Sequence, residues 1–136
     1  MTNPTPNTLT DSITQILSED HRVLFAYLYG STAESGKGND IDIAVFSTEG
    51  VDCHELSADL KVSLHKKIGF PPDDFDVRIL NGLLVQDDIF ALLYLKNVLT
   101  RNKLLIDKNP DARTHFLEHY GTRFRECEGL IQEFLV

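Results

Sequence analysis

Residues 25–46, FAYLYGSTAESGKGNDIDIAVF, set two apolar runs on either side of a loop rich in Gly, Ser and Thr. The first run, VLFAYLYG from Val23, is apolar on both faces, a pattern that suits a strand in the middle of a sheet. The second run, DIDIAVF, opens on two aspartates. Side chains alternate across a strand, so Asp40 and Asp42 share one face about 7 Å apart along the chain direction and can share one ligand. A fold that accepts this stretch must therefore bury two adjacent strands and still bring a pair of carboxylates to one end of them.

The rest of the chain supplies helices to cover such a sheet. TDSITQILSED places Ile13, Ile16 and Leu17 at helical spacing behind Thr8, Thr10 and Asp11 as candidate caps. A second helix is expected from near Asp52, with an Asp-x-x-Glu cap to Glu55 and a buried stripe of Leu56, Leu60, Leu64 and Ile68, stopped by Gly69 and Pro71-Pro72. FDVRIL reads as a third strand with Phe75, Val77 and Ile79 on one face and Asp76 and Arg78 on the other. The pattern predicts a third helix over Leu83–Asn97, a last strand at KLLID, and a C-terminal helix opened by Asn109 and Pro110. The order αββαβαβα predicts an α/β (α+β) fold, a small mixed β-sheet with flanking helices. The 136 residues form one expected domain, with residues 1–8 loose and 110–136 helical.

Charge narrows the functional classes. With 13 Lys+Arg against 21 Asp+Glu the chain carries a net charge of −8 and has no basic patch, which argues against direct nucleic-acid binding and against an anionic membrane surface. No apolar run approaches a membrane span and no leader pattern opens the chain, so a cytoplasmic location is expected. Cys53 and Cys127 lack the spacing of a zinc site.

Two carboxylates side by side repel, and the arrangement is costly unless a cation or a shared proton compensates it. Hard divalent ions such as Mg²⁺ take carboxylate oxygens and commonly bridge to substrate phosphates. Asp76 would be a third carboxylate if its strand lies beside the second, giving a two-metal site able to bind a triphosphate. Asp74 competes for that role, but it falls in the Pro-Pro-Asp-Asp turn. Gly30 and Ser31 supply the other half: glycine lets backbone approach phosphate closely, and exposed N–H groups with a serine hydroxyl can hold its oxygens. Asp-x-Asp or Gly-Ser alone is a common loop feature; strand, Gly-Ser, short loop, Asp-x-Asp strand and a later strand Asp together are far more specific.

LYGS followed by NDIDIAVF resembles the minimal nucleotidyltransferase family of the DNA polymerase β superfamily, MntA-type antitoxins included, and FDVRIL resembles its third-carboxylate strand. The resemblance implies a polymerase β-like nucleotidyltransferase fold. It implies that Gly30 and Ser31 hold the nucleotide phosphates, that Asp40 and Asp42 bind Mg²⁺, and that Asp76 completes the metal site and acts as or positions the general base. It further implies an antitoxin that transfers AMP from ATP to a tyrosine of a HEPN-domain ribonuclease toxin. Eight residues separate Ser31 from Asp40, fewer than in the commoner form of the family, and the loop TAESGKGN lacks the arginine usual there, with Lys37 as a partial substitute. The alternative is thus an antitoxin that neutralises its toxin by binding alone. A nucleotidyltransferase acting on a small molecule would need an additional pocket that this length disfavours.

On the last helix His115 and His119 stand at a zinc-compatible i, i+4 spacing without an evident third ligand. Phe116, Tyr120, Phe124, Cys127, Ile131 and Phe134 form a stripe on the same helix, and the apolar end GLIQEFLV is a candidate docking surface for a partner or a second copy. The third helix, with Ile89, Phe90, Leu92, Leu93 and Leu95, raises the same possibility.

Overall fold

Strand β1 (Val23–Tyr29) lies inside a four-stranded sheet of order β3-β2-β1-β4, as its two apolar faces require. The computed structural model describes residues 6–30, 40–84 and 88–135. Helix α1 (Pro6–Glu19) leads into β1; β2 (Ile41–Ser47) follows, then α2 (Cys53–Ile68), a 3₁₀ turn at Pro72–Asp74 and β3 (Phe75–Ile79). The chain ends with α3 (Ile89–Thr100), β4 (Asn102–Asp107) and α4 (Pro110–Leu135). β1 runs antiparallel to β2 and β4, whereas β2 and β3 are parallel because α2 carries the chain back across one face between them.

Alternation divides the side chains between two cores. Ala26, Leu28, Ile41, Ile43, Val45, Phe75 and Val77 point toward α1 and α2, where they meet Leu9, Ile13, Leu17, Leu56, Leu60 and Leu64. Phe25, Tyr27, Tyr29, Ala44 and Leu80 point the other way, against Leu92, Leu95 and Val98 of α3 and Phe116 of α4. Each fully buried leucine of the α2 stripe contributes roughly 2 kcal/mol of transfer free energy. Asp42 of β2 lies on the second face, the one that α3 and α4 cover.

Local chemistry sets the helix limits. The Asp52 carboxylate accepts the Glu55 N–H at 3.0 Å, and Gly69, at φ 93, donates its N–H to the His65 carbonyl at 2.8 Å. The Asn109 side chain accepts the Ala112 N–H at 3.0 Å ahead of α4. Two expectations move. α1 starts at Pro6, inside the stretch expected to be loose and ahead of Thr8, Thr10 and Asp11, because Leu9 is buried and extends the stripe by a turn; residues 1–5 lie outside the described residues. α3 starts six residues later than expected, at Ile89. Gly82 at φ 86 turns the chain after Leu80, and the Asp88 carboxylate caps the helix by accepting the Phe90 N–H at 2.9 Å.

One lock fixes the parallel pair. The Ser47 N–H donates to Asn81 Oδ1 at 2.8 Å and Asn81 Nδ2 donates back to the Ser47 carbonyl at 2.9 Å, while the Leu80 N–H reaches the Val45 carbonyl at 2.7 Å. A strand slipped by one residue would turn every side chain to the other face, so the face that Asp76 takes goes with this register.

Candidate active site

Pairing puts Tyr29 of β1 opposite Asp42 of β2, and Asp42 opposite Asp76 of β3. The three side chains form a row across the sheet at the end of β1 and the start of β2. Adjacent strands are about 4.8 Å apart, so the two carboxylates are neighbours. Asp76 is thus the strand carboxylate that meets Asp42, while Asp74 remains in the 3₁₀ turn. Asp40 stands exposed one residue before β2. Among the described residues no three His, Cys, Asp or Glu side chains are arranged to hold one metal ion together. Asp42 and Asp76 are brought together; Asp40 stands at the mouth of the site.

Gly30 closes the row on the β1 side. Its φ is 77, in the left-handed region, and a Cβ built there would lie 2.7 Å from Asp42 Oδ2. Backbone and carboxylate are therefore closely packed, and a side chain here would have to push the Asp42 carboxylate aside. Ser31, the Lys37 loop and the rest of residues 31–39 lie outside the described residues.

Among the described residues the site is dominated by its carboxylates. Burial, then Asp76, then Asp40 push the Asp42 carboxyl above its ordinary range, and among the described residues Arg78 pulls it back. Arg78 follows Asp76 on the same face of β3, with its Nε 3.9 Å from Asp76 Oδ2 and its guanidinium 4.8 Å from the centre of the Tyr94 ring. Tyr94 of α3 shares a 2.8 Å hydrogen bond with Tyr29, hydroxyl to hydroxyl. Burial raises both phenols, so they remain neutral beside the carboxylates. The sequence reading missed Tyr94, Arg78 and Asn81. Arg78 was placed on the correct face by strand alternation but given no task; the other two are brought in by α3 and by the turn after β3, which periodicity does not pair with β2.

A divalent cation fits the donors present. Asp42 and Asp76 offer hard oxygen ligands that repel one another, and the Gly30 contact keeps the Asp42 oxygen at the backbone turn.

The opposite end of the same sheet face carries a cavity of about 380 Å³ between the ends of β2 and β3 and the first turns of α4. Leu24, Phe46, Leu80 and Phe116 line it, with Glu49, His115 and His119 among its polar lining. Both histidines are exposed, and they belong to no metal-binding group among the described residues. The α4 stripe packs on the core through Phe116, Tyr120, Phe124 and Cys127, and Leu130 beyond it is exposed. No helix among the described residues is long and apolar enough to cross a membrane.

Residues 11–111 match the family model for polymerase beta, nucleotidyltransferase. Among solved structures, the chain is similar to one of the tri-AMPylated Shewanella oneidensis HEPN toxin in complex with MNT antitoxin, at 19% identity and TM-score 0.62, over 97% of this chain and 100% of the matched one. A toxin-antitoxin structure with AMP-PNP matches at 20% identity and TM-score 0.63, over 93% and 98% of the two chains. The toxin-antitoxin MntA-HepT matches at 18% identity and TM-score 0.59, over 96% and 99%. At these identities the likeness is one of fold. No protein of curated function matches the sequence.

Proposed function

The chain belongs to the polymerase beta nucleotidyltransferase family, and from that premise we propose that it transfers AMP from ATP to a tyrosine of a HEPN-domain toxin, acting as its antitoxin. The observation that carries this reading is the row Tyr29, Asp42, Asp76 with Gly30 pressed against Asp42. Gly30 opens the turn that lets backbone N–H groups approach the nucleotide phosphates, and Ser31 adds its hydroxyl. Asp42 and Asp76, joined by Asp40 from the start of the strand, would hold Mg²⁺, which when bound offsets the charge of the triphosphate and the oxygens around it. Asp76 lies on the edge strand and takes the proton from the attacking hydroxyl. The similar complexes contain an AMPylated HEPN toxin in one case and AMP-PNP in another, which supports both the nucleotide and the acceptor class.

The test is to incubate the purified protein with ATP, Mg²⁺ and the HEPN-domain product of a neighbouring gene, and to weigh that product intact. One or more added AMP units, lost in the Asp40→Ala/Asp42→Ala double variant, is the expected result. An unchanged mass with a stable complex would point to neutralisation by binding alone. That second reading is favoured by the short arginine-free loop. Asp42→Ala separates the two: continued neutralisation by this variant would make AMP transfer dispensable.

A further inference from the structure

Three of the six arginines are spent in short ion pairs. Arg22 grips Asp20 at 2.7 Å and Asp59 at 3.1 Å, Arg113 grips Asp107 at 2.7 Å, and Arg123 meets Glu126 at 3.0 Å. Arg78 differs. Its closest carboxylate oxygen is 3.9 Å away, it donates no hydrogen bond among the described residues, and 58% of its side chain is exposed. It is nevertheless held in place, because the Tyr94 ring supports one side of the guanidinium at 4.8 Å and Tyr29 anchors Tyr94 through the 2.8 Å hydroxyl contact. A guanidinium positioned by an aromatic ring, with donors left over beside a row of carboxylates, is arranged to receive an oxygen from outside the chain.

The sheet order says which oxygen. Gly30 and Arg78 flank Asp42 on opposite sides, Gly30 just after β1 and Arg78 on the edge strand β3. In-line displacement at phosphorus requires the attacking and leaving oxygens on opposite sides of the transferred group. With the phosphate tail at the Gly30 turn, the attacking hydroxyl comes in over β3. We infer that Arg78 is the acceptor-positioning residue: its guanidinium donates to the phenolic oxygen of the acceptor and offsets its charge during attack. The inference rests on the nucleotidyl-transfer reading above. In the step, the acceptor O–H proton passes to the Asp76 carboxylate, the phenolic oxygen forms a bond to the α-phosphorus, and the bond from that phosphorus to the β-phosphate bridging oxygen breaks to release pyrophosphate. Arg78 takes no proton.

The experiment compares the wild type with Arg78→Ala and Arg78→Lys in AMP transfer to the HEPN-domain partner, alongside binding of AMP-PNP in Mg²⁺. Arg78→Ala should lower transfer by about 10²-fold, the usual cost of one lost charge-stabilising donor, with AMP-PNP affinity changed less than about twofold. Arg78→Lys keeps the charge and should recover part of the rate, a rescue that general loss of structure would not give. Transfer by Arg78→Ala at the wild-type rate overturns the inference alone. So does a loss of AMP-PNP affinity as large as the loss of transfer, which would assign Arg78 to the nucleotide. A wild type that binds the partner without any transfer overturns both this inference and the reading beneath it.

Discussion

Gly30→Ala separates the cost of folding from the cost of function. The added methyl meets two penalties: φ 77 is unfavourable for an L-residue, and Asp42 Oδ2 lies 2.7 Å from the new Cβ. Left-handed backbone costs an alanine roughly 1 to 2 kcal/mol. The clash is relieved by rotating the end of one side chain, which adds about 1 kcal/mol of off-rotamer strain. Gly50 is a matched control, since its φ is 79 and nothing lies within 4 Å of its Cβ position. Gly50→Ala should thus lose roughly 1.5 kcal/mol, about 5 °C in melting temperature for a chain of this size, and Gly30→Ala only about 1 kcal/mol more. Their activities should diverge widely. The movement that relieves the clash displaces the Asp42 carboxylate from Asp76, and a misplacement on the order of 1 Å can cost about 10²-fold in rate. Urea denaturation measures the first quantity, and Mg²⁺-dependent AMP-PNP binding and AMP transfer the second. If Gly30→Ala binds nucleotide and transfers as well as Gly50→Ala, the close approach of Gly30 to Asp42 is a packing detail and the site has been placed wrongly.

Asp42→Asn should abolish transfer yet stabilise the fold at neutral pH. The raised Asp42 carboxyl means that the folded chain holds this proton to higher pH than the unfolded chain does, so stability falls as pH rises through the ordinary carboxylate range and just above it; the gain from Asn, visible in urea melts at pH 7, should vanish in acid. Arg22→Ala should cost about 1 kcal/mol without affecting AMP-PNP binding. Because Arg22 hydrogen bonds hold Asp20 below its ordinary range, the wild-type advantage is present at neutral pH and should be lost as pH falls through that depressed value. Leu60→Ala, at a fully buried stripe position, should cost roughly 2 to 5 kcal/mol in denaturant titrations.

Alternation and turn chemistry made the carboxylate strand legible. Asp40 and Asp42 had to share a face, Asp76 had to oppose Phe75 and Val77, and Asp52, Gly69 and Asn109 marked helix ends that the structure keeps. Whether Asp76 meets Asp42 was not legible, because periodicity within a strand carries no information about which strand lies beside it or in which register. The same reasoning explains the late start of α3. Leu83 and Leu84 continue an apolar run, yet Gly82 turns the chain and leaves them packed from a turn instead of a helix. Tyr94 could be read as one more apolar position of a helix, since its hydroxyl partner Tyr29 lies 65 residues away in sequence.

That register is itself testable through Asn81, which lies outside the carboxylate row. Its side chain completes two hydrogen bonds with the Ser47 backbone, so Asn81→Ala leaves a buried N–H and a carbonyl of β2 without those partners. Such a loss costs about 1 to 3 kcal/mol. Asn81→Asp keeps the acceptor for the Ser47 N–H but turns a carboxylate oxygen toward the Ser47 carbonyl, and should cost at least as much. If the clamp serves only stability, both variants should bind AMP-PNP as the wild type does under conditions where they are folded. If it sets the β2–β3 register, amide exchange should rise along β3 as far as Asp76, and nucleotide affinity should fall although no residue of the row has changed. Exchange confined to Ser47 and its neighbours, with affinity intact, would show that the parallel pairing of Ile41–Val45 with Phe75–Ile79 holds the carboxylates together unaided.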